Sequence, residues 1–378
     1  MAGIYIHIPF CKTKCHYCDF YKSTDFASRP DFLTALHLEI ASRKNEILGE
    51  EIESIYFGGG TPSVLKVAEI SGIVERIASV YSVSPQAEIT MECNPDDLTA
   101  DYLGELKASP VNRLSIGTQS FNDRDLKSMN RRHNGKQAVN AVSEAQKAGF
   151  SNISIDLIYG LPQQTLEAWI DNVEQAIALN VQHISAYHLT YHEGTVFYDY
   201  LKNGKIKELP DELSFDQFKW LKSALEKAGF EHYEISNFAC NGLYSKHNKA
   251  YWERKAYLGF GPSAHSFDLK TRRWNVSSLR NYLEAFEQRK PNWETEVLSQ
   301  QDQYNDYVIT SLRTQWGISD HYLLTNFEPR FEKHFKAEAQ QFITSNHLVV
   351  EEGTYKLTTE GLFISDRIME QLLFIEES

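Results

Sequence analysis

Hydrophobic positions in the first 190 residues fall into short β-branched runs, separated by longer stretches in which apolar residues recur every three or four positions. The runs Gly3–Ile8, Ser54–Phe57, Ala87–Glu92, Arg113–Gly117, Asn152–Ile158 and His183–Tyr187 read as strands. The longer stretches predict helices over Pro30–Ile47, Lys66–Tyr81, Lys136–Gly149 and Leu166–Leu179. Strands alternating with helices in this way build βα units around a parallel sheet, so the predicted class is α/β, with six units. The alternation weakens from about 190 to 290, where the Gly-rich stretch YLGFGPSAH occupies Tyr257–His265. Beyond about Gln300, DQYNDYVITSLRT and PRFEKHFKAEAQQFI read as helices and HLVVEEGTYKLTTEGLFISDRIMEQLLF as a hairpin followed by a helix. This helix–hairpin–helix tail resembles a winged helix. Two domains are expected, 1–295 and a smaller α+β unit over 296–378.

The residues that follow each strand locate the chemistry. In order they read IPFC, FGGGTP, ECNPD, IGTQSF, DLIYGLP and YHLTYHEGT, rich in Gly, Pro and polar groups. In parallel βα barrels the reactive groups sit at the C-terminal mouth. Six such ends on one rim predict one polar site.

Composition narrows the classes of function. A net charge of −13 gives a surface that repels phosphate backbones, and the tail lacks a basic recognition face, so nucleic acid is not an expected partner. No apolar run approaches the roughly 20 residues that span a bilayer, and MAGIYIHIPF has neither a basic n-region nor a small-residue cleavage site. The expected location is cytoplasmic. Five cysteines, an odd number with three crowded together, do not make a secreted disulfide framework, which leaves metal or redox chemistry.

The crowded three are Cys11, Cys15 and Cys18, spaced C-x3-C-x2-C within FCKTKCHYCDF. Inert packed thiols do not suit a segment that also carries Lys12, Lys14, His16 and Asp19. A tetrahedral zinc site wants four ligands, and His16 makes a Cys3His site arguable. A [4Fe–4S] cluster normally takes four thiolates, so three leave one iron open to another group.

YIHIPFCKTKCHYCDF resembles the signature of radical S-adenosylmethionine (SAM) enzymes. The resemblance implies a partial (β/α)6 TIM-like barrel, a [4Fe–4S] cluster on the three cysteines, and SAM chelated at the open iron and cleaved to a 5′-deoxyadenosyl radical. FGGGTP, Glu92, Gln119, Arg131, Asp156 and DLIYGLPQQT extend the likeness to the oxygen-independent coproporphyrinogen III oxidase family. By that likeness Tyr5 lies beside the cluster, and Gly59, Gly60 and Thr61 hold the methionine end. Glu92, Gln119, Arg131 and Asp156 surround the carboxylate and ribose, with Thr190 beside the adenosine. Chemically, the planar fork of Arg131 suits a carboxylate.

Two features choose a branch of the family. The oxidase carries a further cysteine two positions after the third cluster ligand, where this chain has Phe20. The stretch HNKAYW, His247 to Trp252, resembles the HNxxYW motif of the heme-chaperone branch, HemW. Imidazole is a common axial ligand of heme iron, and aromatic rings offer flat apolar surface. His247 is therefore the expected heme ligand, with Tyr251 and Trp252 shaping the pocket. The plainer alternative is that His247 is a packed, hydrogen-bonded histidine. The resemblance implies heme as cargo, acceptor proteins that include membrane-associated ones, peripheral placement at the membrane during delivery, and a homodimer. The competing activity is oxidative decarboxylation of coproporphyrinogen III.

Overall fold

The six β-branched runs form six parallel strands paired in chain order: β1 (Ala2–Ile8), β2 (Ile52–Gly59), β3 (Val83–Cys93), β4 (Arg113–Gln119), β5 (Ile153–Tyr159) and β6 (His183–His188). The computed structural model describes residues 1–47, 49–290 and 292–376. Strand geometry sends alternate side chains to opposite faces. In β1, Ile4, Ile6 and Ile8 pack outward with Phe32, Leu36 and Ile40, while Tyr5 faces inward against Tyr56. Helices Arg29–Ser42, Val67–Ala78, Gly135–Lys147 and Leu166–Ala178 cover the outer face at the expected places. Each buries a stripe at helical spacing, such as Ile70, Ile73 and Ile77. The first helix stops at Ser42 rather than Ile47, because the next residue, Arg43, folds inward and donates to Glu39 and to the Gly259 carbonyl. Two helices, Ala100–Lys107 and Asp123–Ser128, were not among the predicted elements.

The sheet also extends beyond these six strands. Next to β6 lie two antiparallel strands, β8 (Asn237–Cys240) and, outside it, β7 (Phe230–Glu234). Next to β1 lies β9 (Tyr257–Phe260), parallel to it, followed by β10 (His265–Phe267), β11 (Thr271–Asn275) and β12 (Trp293–Val297). β1 and β6 each pair with one of these flanking strands rather than with each other, so the barrel stays open. Residues 241–256 must cross from the β6 side to the β1 side, and they do so through a helix, Lys246–Trp252, packed on β1 and β2.

From Gln300 the chain builds a second core. Helices Gln300–Leu312, Asp320–Asn326, Pro329–Thr344 and Ser365–Leu372 enclose Tyr304, Val308, Phe331, Phe335 and Ile368 with a three-stranded sheet. Two of its strands, Leu348–Glu351 and Thr354–Leu357, form the expected hairpin. No helix among the described residues is long and apolar enough to cross a membrane.

Glu39, fully buried in the first helix, joins that helix to the β9–β11 extension. Its carboxylate accepts from Arg43 (3.1 Å), the Gly261 backbone N–H (2.9 Å), Asn275 (2.7 Å) and the Tyr282 hydroxyl (2.7 Å). Removing one partner of a buried ion pair typically costs about 3–5 kcal/mol, because the other charge is left uncompensated. Glu39→Ala is expected to lower unfolding free energy by about that amount in urea titrations, and Glu39→Gln by less, since the amide retains an acceptor.

Candidate cofactor site

The loop carrying the three cysteines is pinned on several sides. Cys11 N–H donates to the Ser23 carbonyl (2.9 Å), His16 N–H to the Met129 carbonyl (3.1 Å), and Asn130 Nδ2 to the Lys14 carbonyl (2.8 Å). The loop therefore stands over a cavity of about 450 Å3 whose wall includes Cys11, Cys15 and Cys18. Cys11 is buried with its Sγ 3.4 Å from Thr61 Oγ1, and Cys15 Sγ lies 3.4 Å from Arg131 Nη1. Burial pushes the Cys11 and Cys18 thiols up, and for both the neighbouring thiols add to the shift. Three thiolates here would repel one another unless a cationic centre lay between them, which suits a metal cluster.

Among the described residues, no three His, Cys, Asp or Glu side chains converge on a single-ion position. His16 stands off the cavity wall, with its Nδ1 2.8 Å from the Ser128 carbonyl and its ring packed on Phe197 and Tyr200. Phe20 is 63% exposed on the same loop and lines the cavity mouth. Cys93 lines the cavity too, its thiol turned to the Met91 carbonyl, while Cys240 lies away in β8.

The glycine run ending β2 lies under the loop. Gly60 N–H donates to Ile8 O and Thr61 N–H to Phe10 O, both at 2.8 Å, which docks the turn against the chain entering the cysteine loop. A Cβ on Gly60 would fall 2.7 Å from Ile8 O, and Gly59, at φ +99°, would meet the His7 ring at 2.5 Å. No other residue fits this approach, which leaves backbone groups facing the cavity.

Gly59, Gly60, Thr61, Glu92, Gln119, Arg131, Asp156 and Thr190 all line this one cavity. Gln119 occupies the left-handed region (φ 66°) at an irregularity in the β4–β5 register, a strained conformation of the kind that accumulates at functional sites. Arg131 donates through Nη2 to Asn94 Oδ1 and the Gly117 carbonyl, both at 2.5 Å, while its buried Nε has no partner. Tyr5 is not on the wall. It lies one layer deeper, in a stack with Tyr56 and His247.

His247 occupies a different setting from the one expected of a heme ligand. Its ring is 2% exposed, with Nδ1 2.9 Å from Ser54 Oγ and Nε2 2.9 Å from the Tyr251 hydroxyl. Both nitrogens are engaged, and neither is open to an iron, so the plainer alternative describes this conformation. Tyr251 holds the histidine, and Trp252 lies under the Arg313 guanidinium at 5.1 Å. Asn248, the second residue of the motif, does reach the cavity wall.

Apart from Asp156, the residues of the deeper wall were not singled out in the sequence. Arg113 and Ser115, Ser154 and Asp156, and His183 and Ser185 alternate along β4, β5 and β6 and point inward. Barrel interiors are normally filled by branched apolar side chains. Polar residues at every second position of otherwise apolar strands were the available signal. Among these groups Arg113 is 2% exposed, and its nearest acid is Glu88 at 3.9 Å.

Burial drives the electrostatics of the wall. It lifts Glu92 from 4.5 to about 7, against the Tyr56 hydroxyl that donates to it at 2.9 Å and with a contribution from Asp156. Burial likewise lifts Asp156 from 3.8 to about 6, opposed by Ser185, Arg113 and Ser115. Both acids bind protons more tightly folded than unfolded, so their contribution to stability is full below 4.5 and 3.8 and is lost as pH rises through about 7 and 6. In the ligand-free protein, Glu92→Gln is expected to raise Tm at about pH 8 and to leave it near wild type at about pH 4, as read by thermal denaturation. An equal effect at both pH values would contradict a burial-shifted Glu92.

Comparison with known proteins places this geometry in a family. The Radical SAM superfamily model matches residues 5–176, which contain the cysteine loop, the glycine run and all but one of the wall residues expected to hold SAM. The heme chaperone HemW of Bacillus subtilis is 33% identical over 377 residues, covering 99% of both chains. That of Lactococcus lactis is 34% identical over 370 residues, covering 98% of this chain and 96% of its own. Among solved structures, coproporphyrinogen III oxidase HemN from Escherichia coli superimposes with a TM-score of 0.84 over 98% of this chain and 90% of that one. At 24% identity that likeness bears on the fold alone, and it agrees with the expected radical SAM type of partial barrel. The chain belongs to the radical SAM superfamily and, within it, to the HemW family.

Proposed function

We propose that this protein holds a [4Fe–4S] cluster on Cys11, Cys15 and Cys18, binds SAM in the adjoining cavity, and carries heme to acceptor proteins. One observation carries the cofactor part: three thiols from one pinned loop stand over the same cavity as the Gly59–Thr61 turn, Glu92, Arg131 and Asp156. In this reading Arg131, with its unpartnered Nε, and Gln119 meet the SAM carboxylate, Glu92 and Asp156 take the ribose hydroxyls, and Thr190 lies beside the adenosine. The cluster, when bound, supplies an open iron for SAM and an electron. The heme part rests on the full-length likeness to proteins named heme chaperones. Phe20, a residue with no thiol chemistry, supports transport over the decarboxylase activity. We place delivery in the cytoplasm, with membrane-associated proteins among the acceptors and a homodimer as the assembly.

Anaerobic reconstitution tests the cofactor part. Cys11→Ser, Cys15→Ser and Cys18→Ser are each expected to drop bound iron and sulfide to background, whereas Cys93→Ser and Cys240→Ser retain the wild-type content. For the heme part, reconstituted wild-type protein should give a Soret band on hemin titration and lose it to an apo-heme protein. It should also leave coproporphyrinogen III unchanged under reducing, oxygen-free conditions. Turnover of coproporphyrinogen would replace this reading with the oxidase, and absence of any heme binding would overturn its heme part.

A further inference from the structure

The HNKAYW helix is joined to the cavity wall by a continuous set of contacts. His247 stacks on Tyr56, with ring centroids 5.1 Å apart and planes 21° from parallel. Tyr56 in turn donates its hydroxyl to Glu92 Oε1 at 2.9 Å. The imidazole is held at both nitrogens, by Ser54 and Tyr251, so it cannot rotate away without breaking two hydrogen bonds. The helix itself is anchored where the Lys246 N–H donates to Glu88 Oε1 at 2.8 Å, and Asn248 reaches the cavity.

We infer that His247 is a positioning residue for the SAM site, fixing the Tyr56 ring and through it the direction of the Glu92 carboxyl. The physical argument is one of degrees of freedom. A tyrosine hydroxyl can aim a carboxyl only if its own ring is fixed, and the ring face of Tyr56 is covered by the imidazole. Glu92 meets the ligand, while His247 acts through Tyr56 without touching it. This inference rests on the reading that SAM occupies the cavity, and it gives the motif a task separate from iron ligation.

The test is a double-mutant cycle on SAM affinity, measured by calorimetry with the full-length, cluster-reconstituted protein. His247→Ala is expected to weaken SAM binding by about tenfold in the wild-type background and by less than about twofold once Glu92 is replaced by Ala, which removes the acceptor of the Tyr56 hydroxyl, because the two residues act in series. Tyr56→Phe, which keeps the ring and removes only the hydroxyl, should show the same dependence on Glu92. It keeps the test valid if His247→Ala proves unstable. Equal losses in both backgrounds would mean a general packing effect and overturn the inference, as would wild-type affinity in both His247→Ala and Tyr56→Phe. Failure of the unsubstituted protein to bind SAM would instead remove the functional reading itself, and that shows before any substitution is made.

Discussion

Parallel βα barrels normally close with eight strands, whereas here six parallel strands leave β1 and β6 unpaired with each other. The gap between β1 and β6 is therefore the constraint that shapes this molecule. Each edge is extended by further strands, β8 and β7 on one side and β9 to β12 on the other. The chain joining the two extensions has to pass the opening, and the helix Lys246–Trp252 is that passage. Because it lies against β1 and β2, its imidazole and phenol rings become part of the layer beneath the cavity. A family motif thus occupies the one segment whose path the open architecture dictates.

The cavity also concentrates groups that folding alone disfavours. Two acids with raised pKa values, a buried arginine with a distant counter-charge, and thiols pushed up by burial share one space. Each would be cheaper to keep in water. A fold that keeps them together is arranged for what it binds, and the outer apolar layer, with Ile4, Ile6, Phe57 and Trp169 fully buried, supplies the stability that offsets them.

The parallel core was legible in the sequence because both sides of each strand are buried and each helix shows a clear apolar stripe. The residues at strand ends were legible for a different reason: glycines, a cysteine cluster and isolated charges stand out against β-branched runs. The flanking strands β7 to β12 were not, since they are short, and β11 and β12, TRRWN and WETEV, carry too few apolar residues to betray a sheet. The hydrogen bonds of His247 were not legible, because sequence reports a residue's chemistry but not whether its nitrogens are already used. Ser54, the partner of its Nδ1, lies 193 positions away. The inward polar residues of β4 to β6 followed the right alternation, but of these only Gln119 and Asp156 were singled out.

Glu39 also bears on how the protein is made. Its acceptor oxygens are satisfied by Gly261, Asn275 and Tyr282, which lie 222, 236 and 243 positions downstream. On the ribosome the first strand and helix emerge early, but they retain a carboxylate that cannot be buried until the segment through Tyr282 has also been released. Contacts of such long sequence separation are slow to form and leave apolar surface uncovered meanwhile. The helix that follows the cysteine loop is accordingly completed only by residues more than 220 positions later in the chain.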